Sequence, residues 1–102
     1  IIRGGENIPV AYVENALYED PRIDSVAIVG LPDPRLQERA AAFVTLTPGS
    51  TLSFEEMQGL LKGKGVAKQY WPERLEVIDA LPRTASGKIQ KFQLRDRFGE
   101  KS

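Results

Sequence analysis

Apolar residues recur every three or four positions in two stretches of the chain, which is the spacing of a helix that buries one face. The first stretch includes Val13 and Leu17. The second follows Ser53, which forms a capping-box pattern with Glu56, because the serine oxygen can accept a backbone N–H while the glutamate reaches back. A third, shorter helix is predicted from about residue 91 to residue 99.

Short segments that are apolar or rich in β-branched residues predict strands at 25–30, 40–46 and 74–79. Turns are predicted at 31–34 and 47–50. A polar connection at 35–39 is expected to join the first turn to the second strand. The first two strands are joined by too few residues for a parallel crossover, so we expect them to pair antiparallel. With a short strand at Ile1-Ile2, the pattern predicts an α+β fold: a small antiparallel or mixed three-stranded sheet packed with helices, plus an N-terminal strand or hairpin.

The composition narrows the classes of function. The chain has 102 residues, which suits a single domain over 1–102, and its 14 basic side chains balance 14 acidic ones;. It contains neither cysteine nor histidine, which excludes disulfides, thiol nucleophiles, imidazole bases and the usual zinc ligands;. No apolar run reaches membrane-spanning length and no signal-peptide pattern opens the chain. We expect a cytoplasmic location and, since Ile1 stands where methionine would begin a natural chain, a piece of a longer protein.

Two short stretches carry candidate chemistry. Residues 81–88 end on Lys88; Pro82 fixes φ at the entry and a later Ser-Gly pair is a turn signal, so a fixed backbone could aim a flexible cation at an anion. From these residues alone the favoured interpretation is a hairpin turn with a solvated lysine, and the anion-binding lysine is the alternative. The adjacent Gly4 and Gly5 suit a plain turn or a close approach of backbone to a ligand.

Several stretches together resemble the small C-terminal domain of adenylate-forming enzymes, in order and at the expected spacing over essentially the whole chain. They are Ile1-Ile2-Arg3-Gly4-Gly5-Glu6-Asn7-Ile8 with Val13-Glu14, then Val29-Gly30-Leu31-Pro32-Asp33, Pro72-Glu73-Arg74 and Pro82-Arg83-Thr84-Ala85-Ser86-Gly87-Lys88-Ile89. The first is similar to the family's glycine loop, just after the interdomain hinge, and the last to its C-terminal lysine loop. Within the superfamily, the glycine-loop residues resemble those of acyl-CoA synthetases.

The resemblance implies an ATP-dependent acid–CoA ligase, in which a carboxylate and ATP give an acyl-adenylate and CoA then displaces AMP. Lys88 would be the catalytic residue of the first step. The residues that support its loop would be Pro82, Thr84, Ser86 and Gly87. The residues that would face the site during thioester formation, after a rotation of the domain, are Arg3, Gly4, Gly5, Glu6 and Asn7. ATP and Mg²⁺ would be bound mainly by a large N-terminal domain, CoA would be the co-substrate, and this fragment alone would be inactive.

The same resemblance implies finer points. Ile8-Pro9-Val10 and Gln69-Tyr70-Trp71-Pro72 depart from the family's common runs and are similar to cyclohexanecarboxylate and medium-chain acid ligases. Acetylation of Lys88 by a protein acetyltransferase would remove its charge.

Two alternatives remain at this point. One is an adenylation domain that loads an acyl carrier protein, and the other is a stand-alone α+β module that binds RNA or protein. RNA binding would need exposed aromatic side chains on the sheet and a basic face, whereas the predicted strands are aliphatic. We therefore expect no nucleic-acid partner.

Overall fold

The computed structural model describes residues 2–3, 6–33 and 37–99, and the side chains of 8–32 and 39–98. Along these residues the strands and α-helices are β1 (Ile2–Arg3), β2 (Glu6–Asn7), α1 (Val10–Tyr18), β3 (Ile23–Asp33), β4 (Gln37–Leu46), α2 (Phe54–Gly63), β5 (Arg74–Val77) and α3 (Lys91–Gly99), and a short 3₁₀ helix spans Lys68–Tyr70. The radius of gyration is 13.1 Å, and about 13 Å is expected of a compact 100-residue domain.

The main sheet has the strand order β3-β4-β5. β3 and β4 pair antiparallel, while β4 and β5 pair parallel, with Ala42 opposite Leu75. The parallel pair is possible because α2 lies in the connection between those strands and carries the chain back to the starting end of the sheet. β1 and β2 form a separate antiparallel hairpin. The predicted α+β fold, with a mixed three-stranded sheet and an N-terminal hairpin, is therefore confirmed.

Helices cover both faces of the sheet, and each face has its own apolar core. On one face, α1 and α2 contribute Val13 and Met57 to a cluster that also contains Val44. On the other face, Leu94 of α3 packs with Phe43. Because β4 is buried on both faces, its apolar run is continuous rather than alternating;. The central strand therefore leaves no open face on which bases could stack.

The predicted turn at 31–34 and the predicted polar connection at 35–39 are wrong wherever the structure describes them. Residues 31–33 continue β3, residues 37–39 begin β4, and Pro32 pairs with Glu38. Proline is tolerated at position 32 because β3 is an edge strand and the backbone N–H of this position would point away from β4;. The N–H of Ile28, which has the same parity along β3, points away from β4 and donates to Glu14. Residues 34–36 lie outside the described residues.

The remaining elements follow the predictions closely. In the capping box of α2, Glu56 N–H donates to Ser53 Oγ at 3.1 Å and Ser53 N–H donates to Glu56 Oε1 at 2.9 Å.

The third strand is shorter than predicted and ends at Val77, whose side chain is 49% exposed. The chain then leaves the sheet, and Leu81 is buried in the second core. This departure delivers the chain to the stretch that carries Lys88.

Candidate functional site

We call residues 82–88 the lysine loop. Its two ends are held together as in a small hairpin, through an antiparallel bridge between Arg83 and Ile89. Gln90 N–H donates to the carbonyl of Pro82 at 2.8 Å, and Thr84 N–H donates to the carbonyl of Lys88 at 2.8 Å. Lys88 therefore lies on the returning arm of a closed turn, where backbone hydrogen bonds fix its main chain.

Side-chain contacts tighten the tip of the loop. Gly87 N–H donates to the carbonyl of Thr84 at 2.9 Å, and Lys88 N–H donates to Thr84 Oγ1 at 3.1 Å. The hydroxyls of Thr84 and Ser86 lie 2.9 Å apart. Gly87 has a φ of +91°, a conformation in which a residue with a Cβ is strained;. The sequence signal at Ser86-Gly87 therefore corresponds to a real turn.

The ammonium group of Lys88 is the free charged group of this loop. The residue is exposed, and among the described residues no hydrogen bond or ion pair engages its Nζ. By contrast, Arg83 is used within the loop, since its guanidinium donates to the carbonyl of Gly87 at 2.9 Å. The arrangement is a fixed backbone that carries one uncommitted, compact cation. Such a group can enter a narrow gap between anions and neutralise them.

The loop is anchored to the body of the domain on both sides. Leu81 is buried before it, and Leu94 of α3 is fully buried after it. Arg95 donates from Nε to the carbonyl of Gly30 at 2.9 Å, and Lys91 Nζ lies 2.8 Å from Glu14 Oε2. Apolar burial and two polar links to other elements therefore hold the returning arm of the loop.

Glu14 of α1 makes contacts that the sequence pattern does not predict. Its side chain is only 21% exposed and accepts a hydrogen bond from Ile28 N–H at 2.7 Å. It also helps to line a cleft of about 280 Å³, together with Tyr18, Ser25 and Arg83. The sequence did show that Glu14 stands next to the buried stripe of Val13 and Leu17. It did not show which residues Glu14 contacts, because Ile28 and Lys91 are distant in sequence.

The predicted glycine loop, residues 3–7, is a separate element ahead of α1. Arg3 pairs with Glu6 across the β1–β2 hairpin, and Ile2 pairs with Asn7. Gly4 and Gly5 lie outside the described residues. The buried Ile8 follows the hairpin directly and ties its end to the first core.

The described residues place limits on two other kinds of site. Nowhere along them do three His, Cys, Asp or Glu side chains converge as a metal site would require. Within the same part of the chain, every helix is too short or too polar to span a bilayer.

This fold is found within solved acyl-CoA synthetases. The family model for the AMP-binding enzyme C-terminal domain matches residues 12–88, and the chain belongs to that family. The predicted resemblance is thereby confirmed.

Particular relatives refine the comparison. The chain is 49% identical over 96 residues to a medium-chain fatty-acid–CoA ligase of Escherichia coli K12, a match that covers 93% of this chain and 17% of the ligase. It is similar to the crystal structure of a Brucella canis acyl-CoA synthetase, with a TM-score of 0.86 and 38% identity over 98% of this chain and 19% of that one. It also resembles ATP-bound MatB of Rhodopseudomonas palustris, with a TM-score of 0.90 and 28% identity over 98% and 20%. The chain thus spans about a fifth or less of the proteins that it matches.

Proposed function

We propose that this chain is the mobile C-terminal domain of an ATP-dependent acid–CoA ligase, and that Lys88 acts in its adenylate-forming step. The observation that carries the proposal is the exposed Lys88 ammonium, which is held on a backbone-fixed loop without a partner among the described residues. Membership of the AMP-binding enzyme C-terminal family and similarity to acyl-CoA synthetases support it.

In the first step a carboxylate oxygen attacks the α-phosphorus of ATP, an oxygen–phosphorus bond forms, and pyrophosphate leaves. Both reactants are anions, so their approach is opposed by repulsion. The Lys88 ammonium would lie between them and neutralise charge while it holds them in line. Lysine suits this task better than arginine, because its charge is compact and its stem is flexible.

In the second step the CoA thiol attacks the acyl carbonyl of the adenylate, and AMP leaves as the thioester forms. A rotation of the domain would withdraw Lys88 and turn the glycine loop (residues 3–7) toward the site. Glycines at 4 and 5 would leave room for the pantetheine arm. One domain would thus serve both steps in turn, in a gating role.

The remaining components would come from outside this chain. We assign the Mg²⁺ that accompanies ATP, and most contacts to ATP itself, to a large N-terminal domain, as the family resemblance implies. The similarity to a medium-chain fatty-acid–CoA ligase favours a medium-chain acid as substrate. We place the enzyme in the cytoplasm. The exposure of Lys88 also makes it accessible to a protein acetyltransferase, which would abolish its charge;.

The test uses the full-length ligase that carries this chain, with each half-reaction measured separately. Lys88→Ala should lower acid-dependent pyrophosphate exchange by about 10² to 10³, while thioester formation from supplied acyl-adenylate survives. Lys88→Arg should restore little, since the guanidinium is broader and planar. Lys62→Ala, at an exposed lysine in the last turn of α2, is the matched control and should leave both half-reactions unchanged. Equal loss of both half-reactions in Lys88→Ala would contradict the assignment.

A further inference from the structure

The carboxylate of Glu14 joins three elements at one point. Its Oε2 accepts a hydrogen bond from Ile28 N–H, on the edge strand β3, at 2.7 Å. The same oxygen lies 2.8 Å from Nζ of Lys91, the first residue of α3, in a pair whose side chains are 21% exposed for Glu14 and 41% for Lys91. Glu14 itself belongs to α1, so a single oxygen connects α1, the edge of the sheet and the start of α3.

The link to Lys91 bears on the lysine loop because little chain separates them. Lys91 follows Lys88 by three residues, and between them Ile89 forms the bridge to Arg83 while Gln90 donates to the Pro82 carbonyl. No loose segment therefore intervenes between the Glu14–Lys91 pair and the arm that carries Lys88. When Lys91 is held, the position and direction of that arm are held as well.

We propose that Glu14 is a positioning residue for adenylate formation, which acts through Lys91 to keep the returning arm of the lysine loop docked against the sheet. This inference rests on the proposed function of Lys88. An ion pair at this degree of exposure shifts the equilibrium between the docked and the undocked arm by up to about fivefold, and a displacement of about 1 Å at the reacting groups can cost about 10² in rate. A modest shift in docking would therefore be visible in the rate of the first step.

The competing explanation is that Glu14 merely fastens α1 to β3. The two roles can be separated because they use different properties of the side chain. Glu14→Gln keeps an oxygen that can accept from Ile28 N–H, yet it removes the charge that attracts Lys91. Lys91→Gln removes the pair from the other side and leaves the contact with Ile28 untouched.

The experiment compares four variants of the full-length ligase with a matched control. The variants are Glu14→Gln, Lys91→Gln, the double variant and Lys91→Arg. The control is Glu19→Gln, which removes a carboxylate from the turn that ends α1, where Glu19 pairs with Lys64 away from the loop. Amide hydrogen exchange is followed by mass spectrometry in peptides that cover residues 82–90, and the two half-reactions are timed separately.

We expect both single glutamine variants to exchange faster over residues 82–90 and to lose up to about fivefold in adenylate formation, with thioester formation from supplied acyl-adenylate unchanged. The double variant should be no worse than either single one, because both remove the same interaction. Lys91→Arg should recover most of the rate, and Glu19→Gln should behave as the wild type.

Two results would overturn the proposal. One is unchanged exchange and unchanged adenylation in both glutamine variants; the other is a parallel fall of both half-reactions with a lower melting temperature, which indicates a purely structural role. Exchange does not depend on activity, so the two proposals can fail separately. Faster exchange in Glu14→Gln, together with intact adenylation in Lys88→Ala, would overturn the role of Lys88 while it supports the link from Glu14 to the loop.

Discussion

Arg95 donates a hydrogen bond from Nε to the carbonyl oxygen of Gly30 at 2.9 Å, and so joins α3 to the edge strand β3. Gly30 has the same parity along β3 as Ile28, whose N–H also points away from β4. A side chain from a distant element thus satisfies a carbonyl that the sheet leaves unpaired. The contact fixes α3, and with it the arm of the lysine loop, over the second core.

Replacement of Arg95 by methionine should weaken this attachment. The variant keeps much of the apolar stem but removes the donor, so the free energy of unfolding should fall by about 1 kcal/mol. Urea unfolding of the chain measures the change. Arg97→Met on the same helix is the control, since Arg97 makes no hydrogen bond or ion pair among the described residues and should change the unfolding free energy by less than about 0.5 kcal/mol;. Equal effects of the two substitutions would contradict a specific role for the Gly30 contact.

Gly87→Ala should destabilise the lysine loop through its backbone alone. A Cβ at this position meets no atom within 4 Å, whereas the φ of +91° is unfavourable for alanine. The expected loss is about 1 kcal/mol in unfolding free energy. Gly59→Ala is the matched control, because it also has open space around its Cβ but lies in α2 without a positive φ. It should stabilise the domain by up to about 1 kcal/mol, and a shared sign would contradict the explanation.

A cluster of charges that joins the α1–β3 turn to the first turn of α2 makes stability depend on pH. A side-chain hydrogen bond from Arg22 lowers the pKa of Asp20 below its ordinary value of 3.8. The pKa of Glu56 is lowered below 4.5, first by the backbone N–H of Ser53 and then by Arg22, whose Nη1 lies 3.1 Å from Glu56 Oε2. Both carboxyls therefore bind protons less readily in the folded domain than in the unfolded chain.

The sign of the pH effect follows directly. Since each folded-state pKa is depressed, this stabilisation is fully present above about pH 5 and is lost as the pH falls through about 4 and below. Arg22→Met should make the fall shallower without abolishing it, because Ser53 N–H still stabilises the ionised Glu56. Urea midpoints measured from about pH 6 down to about pH 3 test this. An identical slope in wild type and Arg22→Met would show that the cluster does not contribute.

Local patterns in the sequence predicted the helices and the middle of each long strand. The Ser53–Glu56 capping box and the turn at Ser86-Gly87 were also predictable, because both depend on residues within three or four positions of each other. Edge position was not predictable from such patterns. Pro32 is typical of a turn, and its place in a strand is understood only once β3 is known to be an edge strand. The backbone groups on the outer side of an edge strand need no partner strand;.

The candidate site also has a part that was predictable from the sequence and a part that was not. Lys88 and the residues that shape its turn are contiguous, so the sequence displays them together. The supports beneath the loop come from elsewhere: Glu14 lies on α1, and Gly30 lies on β3. Their contacts form only when the helices pack on both faces of the sheet. The pattern of apolar residues within one segment therefore does not predict them.

The same side chains have a consequence for solubility. β3 is an edge strand of eleven residues, and a long exposed edge can recruit strands from other molecules into aggregates. At Ile28 and Gly30 the backbone groups that an incoming strand would need are already occupied by Glu14 and Arg95. The contacts that hold the returning arm of the lysine loop therefore also protect the domain against intermolecular β-pairing.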